Sequence, residues 1–247
     1  MEHSEFLDVV VRGSCALAAA ARRVGPDGSV PATPDWSMAK LVKHTGTTHR
    51  WAMAVVAGGE MVSPSDLALG LPDAEDEYPD WIEAGAREFQ AVVGAADPNG
   101  GCWSWGEDHH VRFWSRRMAH ETTVHCWDAQ SATEGSDPIA IEVAIDGIDE
   151  RLGNLQASMS FRPDGPDALR GEGETLHLHT TDGDGEWLVR FGPDGLKVSR
   201  EHAKADVAVR GPASDLLLYT AGRRGLDGLE VFGDRSVLTR RDAIRNF

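Results

Sequence analysis

The sequence predicts two domains, a bundle of long α-helices followed by a smaller α+β unit, and three observations carry that prediction. Before residue 137, apolar residues recur at three- and four-residue steps over four long stretches. Beyond Asp137-Pro138 the pattern gives way, after one more helix, to short alternating runs separated by Gly- and Asp-rich turns. At 247 residues the chain suits one large domain or two modest ones. The change of pattern divides it into 1–137 and 138–247, with the boundary between Ser136 and Ile141.

The first helix runs from Glu2 to Val24 on the stripe Phe6, Val9, Val10, Leu17 and Ala20 or Ala21, and Gly25-Pro26-Asp27-Gly28 stop it. The second begins near Thr33-Pro34-Asp35, buries Trp36, Leu41, Val42, Trp51, Val55 and Val56, and ends at Gly58 and Gly59. A polar, proline-bearing loop from Ser63 to Pro79 leads to a third helix, Asp80 to Val93, and a second loop covers Asp97 to Gly101. The fourth helix spans Val111 to about Thr133, with Phe113, Met118, Val124 and Trp127 as candidates for its buried side. Four such helices suffice for a bundle.

In the second half a helix from Ile141 to Met159 precedes strands at 176–180, 186–191, 196–199 and 205–210. Ala213 to Thr220 is helical, 229–233 is a strand, and a helix from Asp234 to Asn246 closes the chain. There is no internal repeat, coiled-coil heptad or low-complexity tract.

Composition narrows the function. With 24 basic and 40 acidic side chains the net charge is −16, which repels nucleic-acid phosphates and anionic lipid. No apolar stretch approaches the roughly 20 residues of a membrane span, and the N-terminus lacks a basic region followed by an apolar core. The expectation is a cytoplasmic protein with neither nucleic-acid nor membrane partners. Cys15, Cys102 and Cys126 form no CxxC pair and read as reduced thiols.

The chemistry lies in Met118 to Ala129. Glu121 and His125 stand four apart, so on a helix they differ by about 40° in azimuth and about 6 Å in rise. A carboxylate and an imidazole on one face can share a metal ion, although the spacing alone is common on helix surfaces. A third ligand is available in His44, near the apolar stripe of the second helix, where a histidine is more often a satisfied core residue.

The paired segments Trp36-x4-Leu41-x2-His44 and Glu121-x3-His125-x2-Asp128-Ala129 resemble both halves of the metal signature of the DinB-like, mycothiol-dependent maleylpyruvate isomerase family. Leu216 to Leu218, Gly222-Arg223, Leu229-Glu230-Val231 and Gly233-Asp234 resemble that family's sterol-carrier-like C-terminal domain, so the likeness covers nearly the whole chain. The resemblance implies a DinB-like four-helix bundle in which His44, Glu121 and His125 hold a divalent ion, usually zinc, with coordination positions left to water or a thiol. Such an ion lowers the pKa of a bound thiol, so mycothiol could serve as a thiolate without any protein cysteine. In an isomerase the thiolate adds to an activated cis double bond, allows rotation and leaves; in an S-transferase it attacks a small electrophilic substrate and stays. A homodimer is compatible with either.

Other residues carry two readings each. Asp128 could accept the second ring N–H of His125, or sit on the helix surface. His49, about 140° round its helix from His44, and His120, about 100° from Glu121, are read as non-ligands. His109 and His110 read as a polar helix start, His177 and His179 as exposed neighbours on one strand face, and Cys126 as a small buried hydrophobe. Trp103 and Trp105 could wall a pocket or simply pack. Arg223, in the Gly-Arg step, is the candidate catalytic residue: its guanidinium could hold an anionic substrate or cofactor carboxylate, with Arg224 competing. Within the helical half, Arg50, Arg87 and Arg112 are available cations. Two rival functions remain, a metal-dependent hydrolase using activated water and a non-catalytic carrier of a lipid or other small molecule.

Overall fold

The computed structural model describes residues 1–161, 165–240 and 242–245. The chain divides into two compact units, Met1–Asp137 and Pro138–Phe247.

The first unit is built on four helices: α1 (His3–Val24), α2 (Met38–Gly58), α3 (Tyr78–Ala95) and α4 (Val111–Ser131). Local chemistry sets their ends. The Glu2 backbone N–H donates to Glu5 Oε2 at 2.6 Å at the start of α1, and Gly25, with φ 83°, ends it. Helix α2 begins later than the Thr33-Pro34-Asp35 signal suggested, because Ser37 is its cap, its hydroxyl accepting from the Lys40 N–H at 3.2 Å. Gly59, in the left-handed region, closes it. Helix α3 begins earlier than expected, since Pro79 occupies its first turn, where the missing N–H costs nothing.

Helices α1 and α2 each pack against both α3 and α4 and touch each other more lightly, so α3 and α4 lie on opposite sides of the α1/α2 pair. Leu17, Leu41, Ile82, Phe89 and Trp114 are fully buried. Each such large side chain contributes about 1.5–3 kcal/mol by leaving water. Close helix approach requires small residues: a Cβ on Gly46 would lie 2.1 Å from Trp81 Cζ3, and one on Gly13 2.9 Å from Thr122 Cγ2. Phe113, Met118 and Val124 of α4 are buried as expected, whereas Trp127 is only half-buried.

The second unit contains α5 (Ile141–Met159), the short α6 (Gly165–Ala168), β1 (Thr175–Thr180), β2 (Glu186–Gly192), β3 (Gly195–Ser199), β4 (Val207–Gly211), α7 (Ala213–Thr220), β5 (Glu230–Gly233) and α8 (Ser236–Arg240). The expected closing helix is shorter than its sequence signal. After α8 a 3₁₀ turn covers Asp242–Arg245, while Arg241 and Asn246 lie outside the described residues.

Among the described residues the strands form one sheet in the order β3-β2-β1-β4-β5, antiparallel except for the parallel pair β1/β4. Alternation sorts its faces. Leu176, Leu178, Trp187, Val189 and Phe191 join Ile148, Leu152 and Leu155 of α5 and Leu216 and Leu217 of α7 in one core. Thr175, His177 and His179 of β1, with Glu186, Leu188 and Arg190 of β2, point the other way. To bring β4 beside β1, the chain leaving β3 must cross β2 and β1, and residues 200–206 make that crossing.

No described helix is long and apolar enough to cross a membrane.

Candidate metal centre

Helices α2 and α4 bring His44, Glu121 and His125 together, with one ligand atom from each within 4.8 Å of the others. His44 Nε2 lies 3.1 Å and His125 Nε2 3.2 Å from the same oxygen, Glu121 Oε1. The other oxygen, Oε2, accepts from Arg117 Nη2 at 2.6 Å. The carboxylate is thus held by one oxygen and presents the second to two imidazoles.

His125 is fixed from behind. Its Nδ1 lies 2.9 Å from Asp128 Oδ2, and the Asp128 side chain is wholly buried. With the proton on Nδ1 donated to Asp128, Nε2 is free to be the ligand nitrogen. Trp36 stacks on His125 at 5.9 Å between centroids and lies 4.8 Å from His44, walling the site on one side. His125 is 7% exposed and His44 37%, so the site opens to solvent on the His44 side.

Electrostatics couple the groups. Burial is the largest influence on Glu121 and opposes its charge. The charge of His125, hydrogen bonds from His125 and His44, and the charge of Arg117 outweigh it and hold the carboxyl well below its usual range. For His125 burial again comes first and lowers the value, but the charge of Glu121 and the hydrogen bonds to Asp128 and Glu121 raise it to about 9. Without a metal, His125 is therefore an imidazolium at neutral pH, and its proton takes the place a divalent cation would fill.

The donor set fits such an ion. Two imidazole nitrogens and one carboxylate oxygen suit zinc or a similar borderline-soft cation, and three protein ligands leave coordination open for a reacting group.

Other histidines of this unit make different contacts. His49 is fully buried with Nε2 2.7 Å from Thr122 Oγ1, and burial, then the charge of Arg50, pushes it down to about 3. His120 packs edge-on against Phe6. His110 occupies the N-cap position of α4 without a side-chain capping bond, its Nδ1 2.5 Å from Asp108. Cys126 is half-buried, and burial, with Asp137 and Asp128, pushes its thiol up to about 12, which removes it as a nucleophile. Trp103 and Trp105 pack rather than line a site: Trp103 lies against Trp51 and Trp114, and Trp105 against Phe113.

The cation at this centre is Arg117, which the sequence reading passed over. Its only signal is the four-residue step to Glu121 on the same helix. Arg50 instead donates to the carbonyls of Gly46 and Trp81 and stacks 3.8 Å over the Trp81 ring. Arg112 is bound to Asp108 and Asn99, and Arg87 to Glu83. In the second unit, Arg223 follows α7 and its Nη1 donates to the Ala221 carbonyl at 3.0 Å, while Arg224 pairs with Asp215. His177 and His179 share a strand face, but the expectation of exposure fails: His177 is only 5% exposed and His179 is half-buried. The crossing segment reaches this face, with the ring of His202 5.6 Å from that of His177.

Comparison with known proteins places two family models on the chain. The model of the mycothiol maleylpyruvate isomerase N-terminal domain matches residues 9–130, and that of the C-terminal domain of the same proteins matches residues 142–240. Among solved structures, a mycothiol-dependent maleylpyruvate isomerase aligns at 15% identity and a TM-score of 0.55, covering 94% of this chain and 93% of that one. A histidine-to-alanine mutant of a mycothiol-dependent maleylpyruvate isomerase aligns over the same shares at 13% identity and a TM-score of 0.56. Identities this low show a shared fold. No curated protein sequence matches the chain.

Proposed function

Because the chain belongs to the mycothiol-dependent maleylpyruvate isomerase family, we propose that it is a metal-dependent enzyme of small-molecule thiol chemistry. It uses mycothiol as cosubstrate, either to isomerise a small electrophilic substrate or to transfer the thiol to it. The observation that carries this reading is the convergence of His44 Nε2 and His125 Nε2 on Glu121 Oε1, backed by Asp128 and Arg117.

When bound there, a divalent ion such as zinc supplies Lewis acidity that keeps a thiol ionised at neutral pH. The chain's own residues do the rest. Asp128 orients the His125 ring and fixes its tautomer, and Arg117 keeps Glu121 ionised and still. Trp36 shields one side, and Lys40, whose Nζ lies 5.2 Å over the Trp36 ring, puts a cation at the rim where an anionic substrate would arrive. Arg223 is assigned the task of holding a substrate or cofactor carboxylate, for which a planar guanidinium is suited.

The test is metal content by elemental analysis of wild type, His44→Ala and His125→Ala, followed by cobalt replacement and addition of mycothiol. A fall of one metal equivalent in both variants, and a thiolate-to-cobalt absorbance in wild type that both variants lose, is the expected result. Metal binding without any spectral response to mycothiol would move the assignment to a hydrolase using activated water. A protein that takes up no metal at His44, Glu121 and His125 would end the proposal and favour a non-catalytic carrier.

A further inference from the structure

A second group of ligand-type side chains lies wholly within the C-terminal unit. His177, His179, Glu186 and His202 each offer one donor atom, and these atoms lie within 4.8 Å of one another. His179 Nδ1 is 2.6 Å from Glu186 Oε1, and His202 Nδ1 is 3.0 Å from both oxygens of Glu186. The three imidazole centroids are 5.6–6.0 Å apart.

The arrangement follows from the topology. His177 and His179 are two apart on β1 and so share the face turned away from the core, and register places Glu186 of β2 directly opposite His179. His202 comes from the crossing between β3 and β4, a segment without helix or strand. Three separate stretches of chain therefore contribute to one cluster.

A second observation points to a ligand. His177 is 5% exposed, yet its Nε2 is buried without a hydrogen-bond partner among the described residues. A buried polar atom left so costs about 1–3 kcal/mol, and it belongs to a ring whose centroid lies 6.0 Å from that of His179 and 5.6 Å from that of His202. An ordinary patch of surface charge would leave no such atom, because its members would face water.

We propose that His177, His179, Glu186 and His202 form a second divalent metal site, of the zinc class, which pins the β3–β4 crossing to the sheet. Three imidazoles and one carboxylate make a complete four-ligand set, and a closed set of this kind suits a structural ion. The side chain of His202 is 79% exposed, so it is the ligand that closes on the ion last. This site is independent of the one on α2 and α4.

The test uses the tag-free, full-length chain, stripped with chelator and titrated with cobalt, with visible absorbance and elemental analysis as readouts. In the double variant His44→Ala/His125→Ala about one equivalent of cobalt should remain bound. Adding His179→Ala should abolish it, and adding His202→Ala should weaken it at least about tenfold. Zinc should also raise the melting temperature of the double variant and slow proteolysis near residue 202. The inference is overturned if the double variant binds no cobalt, or binds an equivalent that neither His179→Ala nor His202→Ala affects. Should His179→Ala fail to fold, His202→Ala decides alone, since so exposed a side chain can be removed without disturbing the core. Failure here leaves the first centre untouched, because that centre is read in the complementary variant His179→Ala/His202→Ala.

Discussion

The buried carboxylate of Asp128 should tune the metal centre in a way that depends on pH. Asp128→Asn keeps the volume and an acceptor oxygen next to His125 Nδ1, now 2.9 Å from Oδ2, but removes the charge. Loss of such a partner typically weakens a metal site 10–100-fold, or about 1.4–2.7 kcal/mol. The same charge, however, helps to raise His125 to about 9. At pH 7 the wild-type site must therefore expel a proton held about two pH units too tightly, a penalty of about 100-fold. The substitution relieves part of that penalty while weakening the metal bond itself. At about pH 9.5, where the imidazole is mostly neutral, only the weakening remains. Competition with a chromophoric chelator at both pH values should show a loss near the upper end of the range at high pH and a smaller loss at neutral pH. An affinity equal to wild type at high pH, in a variant that melts as cooperatively as its parent, would refute the assignment of Asp128 as a group that orients His125 and strengthens it as a ligand.

Three further outcomes follow from the same geometry. His125 is raised to about 9 in the metal-free fold, so its contribution is complete below its ordinary value of 6.5 and is lost as pH rises through 9. Urea unfolding of metal-free protein should show a decline of about 3 kcal/mol across that window, and a flat profile would remove the Glu121–His125 ion pair from the account. His49 behaves in the opposite sense: its folded value of about 3 means that only the unfolded chain takes the proton as pH falls below 6.5. Stability should therefore drop between pH 6.5 and 3, and His49→Gln should flatten that acid limb; an unchanged limb assigns the acid sensitivity elsewhere. Finally, Gly46→Ala should lower stability by about 1–3 kcal/mol through overpacking, since the new Cβ meets the Trp81 ring at 2.1 Å. A rise in melting temperature, as helix propensity alone would give, would mean that α2 and α3 separate easily.

Much of this architecture is local and therefore legible in the chain. The stripe Phe6, Val9, Val10 and Leu17, the glycines at 25 and 59, and the proline at 79 determine where helices begin and end through backbone physics that acts over a few residues. Glu121 and His125 belong to the same class, because one helical turn brings them onto one face whatever surrounds them. The family resemblance rests on these two residues with Asp128, on the segment of Trp36, Leu41 and His44, which no local rule joins to them, and on short stretches of the second half from Leu216 to Asp234.

Tertiary structure decided the remainder. His44 meets Glu121 across 77 residues only because α2 packs on α4, and Arg117 matters only because the bundle buries it beside that carboxylate. The cluster at His177, His179, Glu186 and His202 is the least visible of all: alternation predicts His177 and His179 exposed, and nothing in the sequence ties His202 to them. A strand shows which residues alternate but not its register with the next, and a slip of one residue turns every side chain to the opposite face. Nor does a strand pattern reveal that the chain after β3 must cross the sheet to lay β4 beside β1. Contacts between distant segments depend on which packing buries the most apolar surface, a property of the whole fold that no short window of sequence contains.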